Sequence, residues 1–323
     1  MMALNLTKGD EIRIISPSSS IKRVGGFKDN LIAKKRLENL GFKVTFGKHI
    51  LENDAFYSSS ISSRVSDFHD AFGDKNVKAI MTTIGGLNSN ELLPHIDWNV
   101  VRLNPKMFFG YSDTTSLHNA IRAMTNEVTY YGPCYSSFKM DDLQKYQTTE
   151  WLKAALNSSF ELKPSNVWIS DLWFDKSLAR NPMANKWKVY TNGQATGIST
   201  GGNSQTYCLQ AGTKFFPKTQ SPIVFIEQAE DGDPLEFSRE LAQILQIHTD
   251  IKALVIGRFP TVNEMSEQKL RVILDKFLIL KTIPVIYDLD FGHTQPIFTV
   301  PLGQNIMVTA SSSDKIKVNV QEI

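Results

Sequence analysis

Cysteine is nearly missing from this chain. Two thiols, Cys134 and Cys208, stand far apart in 323 residues, with no C-x-x-C pair. That argues against a disulfide-stapled secreted scaffold and leaves two reduced thiols in apolar surroundings, as expected of a cytoplasmic protein. Long apolar runs are missing too: "KFLILKTIPVIY", among the longest, is broken by Lys281 and Pro284 and is too short for a bilayer span. The opening "MMALNLTKGDEIRII" has no basic stretch ahead of a long apolar segment, so no secretory signal is expected. Neither charge sign is in excess. The 35 Lys and Arg against 33 Asp and Glu leave a net +2 with the basic residues scattered, which argues against a nucleic-acid partner. No His/Asp/Glu cluster has metal-ligand spacing and no full G-x-G-x-x-G occurs, so neither a metal nor a dinucleotide cofactor is expected.

What is present is ample core material, 41% hydrophobic, arranged in alternation. "EIRIISPSS" reads as a strand, "NLIAKKRLENLG" as a helix ending at Gly41, and "FKVTFG" as a strand. "SSRVSDFHDAFG" (helix), "VKAIMTTIGG" (strand), "SNELLPHI" (helix), "KMFFGY" (strand) and "DTTSLHNAIRAMT" (helix) follow. In the last of these, Leu117, Ala120, Ile121 and Met124 fall on one face of a helix. Strict alternation predicts an α/β fold with a mostly parallel sheet, Rossmann-like or flavodoxin-like, whose ligands bind beyond the carboxyl ends of the strands.

From about Phe160 to Trp187 the periodicity stops. "NVWISDLWFDKSLARNPMANKW" holds three tryptophans and reads as a connector or functional loop. "KWKVYTNGQATGIST" then resembles a hairpin turning at Asn192-Gly193. "SPIVFIE", a helix from about Pro234 to Ile247, "ALVIGRF", a helix near Glu264–Phe277 and "IPVIYDLDFG" alternate again before a strand-rich tail. The predicted organisation is an N-terminal α/β domain over 1–160, a Trp-rich connector over 161–187, and a smaller C-terminal mixed β/α domain over 188–323.

Candidate chemistry gathers at strand ends. "MFFGYSDTTSLHNAI" passes from strand to helix within a few residues and puts Ser112 at the corner. There a serine can be an exposed nucleophile, with the Asp113 amide turned toward a developing oxyanion, or simply the cap of the helix. Thr114 stands where the nucleophile-elbow pattern G-x-S-x-G has its second glycine. "TTIGGLNSNELLPHID" makes a second corner, where a glycine amide could be another oxyanion donor and Asn88 or Ser89 could cap the next helix. A serine nucleophile needs a base and a carboxylate. Of six histidines, His49, His69, His95, His118 and His248 lie in or beside predicted elements, whereas His293 sits in the loop "DFGHTQP" after a strand. Glu227 closes an apolar strand at its carboxyl edge, with Glu230, Asp231 and Asp290 as competitors.

In this order, "SSRVSDFHDAFGDKNVKAIMTTIGG", "LLPHID", "NPKMFFGYSDTTSLH", "YYGP", "GGN", "IVFIEQAED", "VIGRF" and "FGHTQPIFTVPLG" resemble the LD-carboxypeptidase family of serine peptidases over nearly the whole chain. The resemblance implies Ser112 as nucleophile, His293 as base, Glu227 as its orienting acid, and the amides of Gly86 and Asp113 as oxyanion donors. It also implies substrate contacts from Gly85, Asn88, Ser89 and Asn203, no cofactor, and a homodimer. Murein LD-carboxypeptidases usually carry an Arg-Gly-Gly-Tyr-Gly type turn. Here Ile84 replaces the arginine, and "IGGLNSNELL" looks like the branch containing the microcin C immunity peptidase, although Leu87 stands where that branch often has tyrosine. Losing a guanidinium removes a fork for a terminal carboxylate. The implied substrate is an aspartyl or peptidyl group joined to a modified nucleotide. A murein tetrapeptide, or non-catalytic binding of peptidyl-nucleotides, are the alternatives. Trp168 or Trp173 could stack on the nucleobase, or merely pin the connector to the body.

Overall fold

A computed structural model describes residues 4–171, 179–311 and 315–322. The chain forms an α/β fold built on two sheets. In the first, β1 (Glu11–Ile15), β2 (Lys43–Phe46), β3 (Val77–Thr82), β4 (Met107–Gly110) and β5 (Thr129–Tyr131) are all parallel, in the order β5-β4-β3-β1-β2. This is the order of a doubly wound, flavodoxin-like sheet. Both faces are covered, so its strands read as continuous apolar runs. Met107 and Phe109 pack on one side with Tyr130 and Trp151, and Phe108 on the other with Phe68 and Leu117. The predicted helix "SNELLPHI" is a 3-10 helix, Ser89–His95, with Pro94 inside it. Proline lacks the N–H that a longer α-helical ladder would need.

The second sheet contains β6 (Phe160–Leu162), β9 (Lys188–Thr191), β10 (Gly193–Asn203), β11 (Pro222–Glu227), β12 (Ala253–Gly257), β13 (Val285–Leu289), β15 (Asn305–Ser311) and β16 (Lys315–Val320). A two-strand ribbon, β7 (Val167–Trp168) with β8 (Met183–Ala184), stands apart inside the connector. The remaining strand, β14 (Val300–Leu302), leaves the C-terminal half and pairs antiparallel with β5, closing the edge of the first sheet. The second sheet's order is β6-β16-β15-β10-β11-β12-β13-β9, with β10 to β13 parallel.

The expected hairpin at Asn192-Gly193 does not form. β9 pairs with β13 at the far edge, while β10 pairs with β15 and β11. The two strands are adjacent in sequence but have three strands between them in the sheet. The turn chemistry was local, and it lost to longer-range pairing along β13 and β15. Elsewhere the local signals hold. Asp233 caps the helix Pro234–Ile247 by accepting from the Leu235 and Glu236 amides, and proline occupies the first turn, where its missing N–H does no harm. Both cysteines are free, Cys134 buried and Cys208 partly so. Among the described residues, no helix is long and apolar enough to cross a membrane. Nor does any group of three or more His, Cys, Asp or Glu side chains stand where it could hold a metal.

Candidate active site

The site lies where the carboxyl ends of β3 and β4 meet those of β11 and β13. After β4 the chain turns at Tyr111 into a 3-10 turn, Ser112–Thr114, that runs into the helix Thr115–Thr125. Ser112 has φ +65°, the left-handed region that a residue with a Cβ rarely occupies. Holding it there stores about 1–3 kcal/mol of strain. The turn is tied on every side. The Ser112 amide donates to the Tyr131 hydroxyl (2.9 Å), and Thr115 Oγ1 donates to the Ser112 carbonyl (2.7 Å). The Gly110 carbonyl accepts from the Gly132 amide (3.0 Å) and from His118 Nε2 (2.9 Å). Burial pushes the His118 pKa down to about 3, so its ring is neutral, with the proton on the nitrogen facing that carbonyl. Ser112 does not cap the helix. The cap positions are Tyr111 for the 3-10 turn and Thr114 for the helix, neither with a side-chain capping bond, and the serine hydroxyl faces His293.

The second corner follows β3. A Cβ built on Gly85 would lie 3.0 Å from Ser112 Cβ, 3.1 Å from Ser112 Oγ and 3.5 Å from the Asp113 nitrogen. Only glycine leaves that space beside the hydroxyl and the amide open. The two corners are laced together through Asp113: its Oδ2 accepts from the Ser89 amide (2.9 Å) and its carbonyl from Ser89 Oγ (2.8 Å). Neither predicted cap forms on the Ser89–His95 helix. Ser89 is spent on Asp113, and Asn88 Oδ1 accepts from Ser18 Oγ (3.2 Å).

Three side chains from distant parts of the chain complete the centre. His293 Nε2 lies 3.0 Å from Ser112 Oγ, and His293 Nδ1 lies 2.6 Å from Glu227 Oε2. A carboxylate oxygen can only accept, so Nδ1 keeps its proton toward Glu227, and Nε2 can accept from the serine once the imidazolium has given up its other proton. Glu227 is fully buried. Its other oxygen accepts from the Tyr131 hydroxyl at 2.7 Å. Gly292 makes room for the acid: a Cβ there would sit 2.4 Å from Glu227 Oε2. Burial alone would lower the His293 pKa. The charge and hydrogen bond of Glu227, with Glu230 and Asp231 nearby, outweigh burial and raise it to about 9.

The other residues singled out in the sequence are placed as follows. Asn203 is buried and caps the helix Ser204–Leu209, its Oδ1 accepting from the Thr206 amide and hydroxyl. Its own amide donates to Thr115 Oγ1. Trp168 lines a pocket of about 600 Å³ and carries the Arg258 guanidinium 4.8 Å from its ring centre. Trp173 lies outside the described residues. Asp290, a competitor for the acid's place, is committed elsewhere. It accepts from the Ser165 amide and hydroxyl, Asn185 Nδ2, Trp187 Nε1 and Arg258, which ties both flanks of the connector to the strand end ahead of His293. Asp290 and Arg258 are both buried. Asp290→Ala is therefore expected to destabilise the protein by about 3–5 kcal/mol by stranding the guanidinium, read as a lower denaturant midpoint at unchanged slope.

Sequence reasoning missed Tyr131 and His118. "YYGP" is one of the stretches that carry the family resemblance, but nothing in the residues says which phenol faces the acid.

The chain is similar to known proteins over most of its length. The LD-carboxypeptidase N-terminal domain matches residues 12–132 and the LD-carboxypeptidase C-terminal domain matches residues 196–308. YocD of Bacillus subtilis (strain 168), provisionally named a carboxypeptidase, is 40% identical over 316 residues, 97% of each chain. A second protein of that organism, provisionally named a murein peptide carboxypeptidase, is 27% identical over 98% of this chain and 94% of its own. Among solved structures, an MccF-like protein from Bacillus anthracis superposes with a TM-score of 0.96 at 40% identity, over 100% of both chains. The microcin C7 self-immunity protein MccF in complex with aspartyl sulfamoyl adenosine superposes at 0.89 with 26% identity, over 100% of this chain and 99% of that one.

Proposed function

The chain belongs to the LD-carboxypeptidase family, and we propose that it is a serine peptidase of the microcin-immunity kind, cleaving an aspartyl or peptidyl carbonyl from a modified nucleotide. The observation that carries this reading is the chain of contacts from a left-handed Ser112 through His293 to buried Glu227. Ser112 Oγ attacks the acyl carbon while His293 Nε2 takes its proton, and Glu227 steadies the imidazolium. The Gly86 and Asp113 amides stabilise the oxyanion, and the loss of one such donor typically lowers the rate about 10²–10³-fold. His293 then protonates the leaving nitrogen, and water, giving its proton to the same imidazole, releases the acyl group from the serine.

One feature of the sequence favours a nucleotide: Ile84 leaves the turn without an arginine of its own to meet a terminal carboxylate. Trp168, whose ring faces Arg258, lines a pocket that includes none of Ser112, Glu227 and His293. A structurally similar relative was solved with an aspartyl sulfamoyl adenosine bound. The test is a side-by-side assay on aspartyl sulfamoyl adenosine and on a murein tetrapeptide. A higher kcat/KM for the nucleotide is expected, and preference for the tetrapeptide would overturn the assignment.

The raised His293 pKa makes a further prediction. The base works only when deprotonated, so kcat/KM should climb with pH along a limb displaced well above an ordinary histidine's, toward about 9. Replacing Glu230 by Gln and Asp231 by Asn removes two charges that favour the imidazolium, so the limb should move to lower pH. A pH–rate series on wild type and the double variant measures both.

A further inference from the structure

We propose that Tyr131 is a positioning residue of this reaction: a single phenol that holds the nucleophile's backbone and the triad carboxylate together and sets how strongly His293 binds its proton. The inference rests on the serine-peptidase reading above and deepens it. Its basis is a hydrogen-bond chain whose direction valence fixes. Glu227 Oε1 cannot donate, so the phenol gives it its only proton at 2.7 Å. The Ser112 amide cannot accept, so it donates to the phenol's lone pair at 2.9 Å. The chain therefore runs one way, from the Ser112 N–H through the tyrosine O–H to the carboxylate.

Both ends need this partner. Glu227 is fully buried, and among the described residues the phenol is the hydrogen-bond donor to Oε1, leaving Oε2 for His293. At the other end, the Ser112 amide opens a helical turn, where no backbone carbonyl is in register to receive it. Left unpaired, that N–H would favour release of the left-handed conformation that aims Oγ at the imidazole. The ring has little room to stray. It is buried, with His118 at 5.7 Å and Tyr111 at 6.4 Å between centroids. Burial and the neighbouring Glu227 charge keep the phenol's pKa well above its usual value, so it acts as a fixed dipole and not as a second acid.

The link also joins the two sheets. Tyr131 ends β5 in the first, Glu227 ends β11 in the second, and the phenol spans between them beside the serine. Withdrawing charge from Oε1 weakens the pull of Glu227 on the imidazolium. Removing the hydroxyl should therefore raise the His293 pKa further, although the variant is smaller by only one atom.

The experiment compares Tyr131→Phe with Tyr130→Phe, which removes the neighbouring phenol whose oxygen lies 3.4 Å from the Leu4 carbonyl, away from the site. His293 is titrated by NMR in histidine-15N-labelled protein without substrate, and kcat and KM are measured on aspartyl sulfamoyl adenosine. Tyr131→Phe should raise the imidazole pKa by about half a unit or more and lower kcat about 10–100-fold, with KM little changed. Tyr130→Phe should change neither. Should Tyr131→Phe fail to fold, 3-fluorotyrosine incorporated at position 131 keeps the hydroxyl but donates more strongly, and should shift the imidazole pKa downward. An unmoved imidazole titration in whichever of the two folds would overturn the proposal, even if kcat fell, because a purely structural defect lowers activity without that signature. The titration needs no substrate, so it stands apart from the peptidase reading, which instead fails if turnover survives loss of the Ser112 hydroxyl.

Discussion

Ser112→Ala should lower kcat by about 10⁴–10⁶-fold, leaving only what binding and the oxyanion donors supply. No other hydroxyl in the described structure lies on His293 Nε2, so no neighbour is in place to take over the attack. Stability should change little, within about 1 kcal/mol. The alanine keeps the same left-handed backbone and the same amide bond to Tyr131, and loses only one partly exposed hydrogen bond. Binding of aspartyl sulfamoyl adenosine by calorimetry should persist while its hydrolysis, followed by chromatography, disappears. Undiminished hydrolysis would mean that Ser112 is not the nucleophile. The same pair of measurements disposes of the non-catalytic alternative, because a mere binder would show no hydrolysis in the wild type either.

Glu227→Gln should cost about 10⁴-fold in kcat, by a route the geometry makes specific. The carboxylate accepts twice, from His293 Nδ1 and from the Tyr131 hydroxyl. A glutamine amide has one accepting oxygen and an NH2 that can only donate. If the NH2 faces His293, the ring must present a bare Nδ1, its proton moves to Nε2, and Ser112 loses its base. If the NH2 faces Tyr131, two donors meet in a buried space, or the phenol rotates and strands its own proton. Without the glutamate charge, burial also drives the imidazole pKa down, so the high-pH limb expected for wild type should vanish. A pH–rate series with NMR assignment of the His293 tautomer checks both consequences. Retention of the wild-type limb would show that another carboxylate performs this role.

Much of this was written in the sequence at the scale of single elements. Alternation, apolar stretches and cap residues mark most strands and helices correctly, because both faces of a parallel sheet must be buried and helix ends need partners. The placement of Ser112, Glu227 and His293 at strand ends was also legible. What was hidden depends on which distant partner wins. Asn192-Gly193 looks like a hairpin turn, yet β9 gains more from β13. Asn88 and Ser89 look like caps, yet their side chains meet Ser18 and Asp113. The left-handed φ of Ser112 has no residue-type signature, since glycine would be the usual occupant and the chemistry forbids it. Tyr131 differs from Tyr130 by one step along β5, and only the direction of the side chain separates a phenol reaching the site from one that does not.

The returning strand β14 has a consequence for how such an enzyme comes into being. Residues 300–302 seal the open side of β5, only a few residues after His293 has been delivered to the serine. On the proposed mechanism, a ribosome that has released just the first half of the chain holds Ser112 on a sheet with a bare margin and without His293, so a chain still being synthesised should not yet cut anything. Dividing the gene at the connector should accordingly yield a sticky, inactive fragment, whereas adding the missing half in trans should restore both solubility and hydrolysis together.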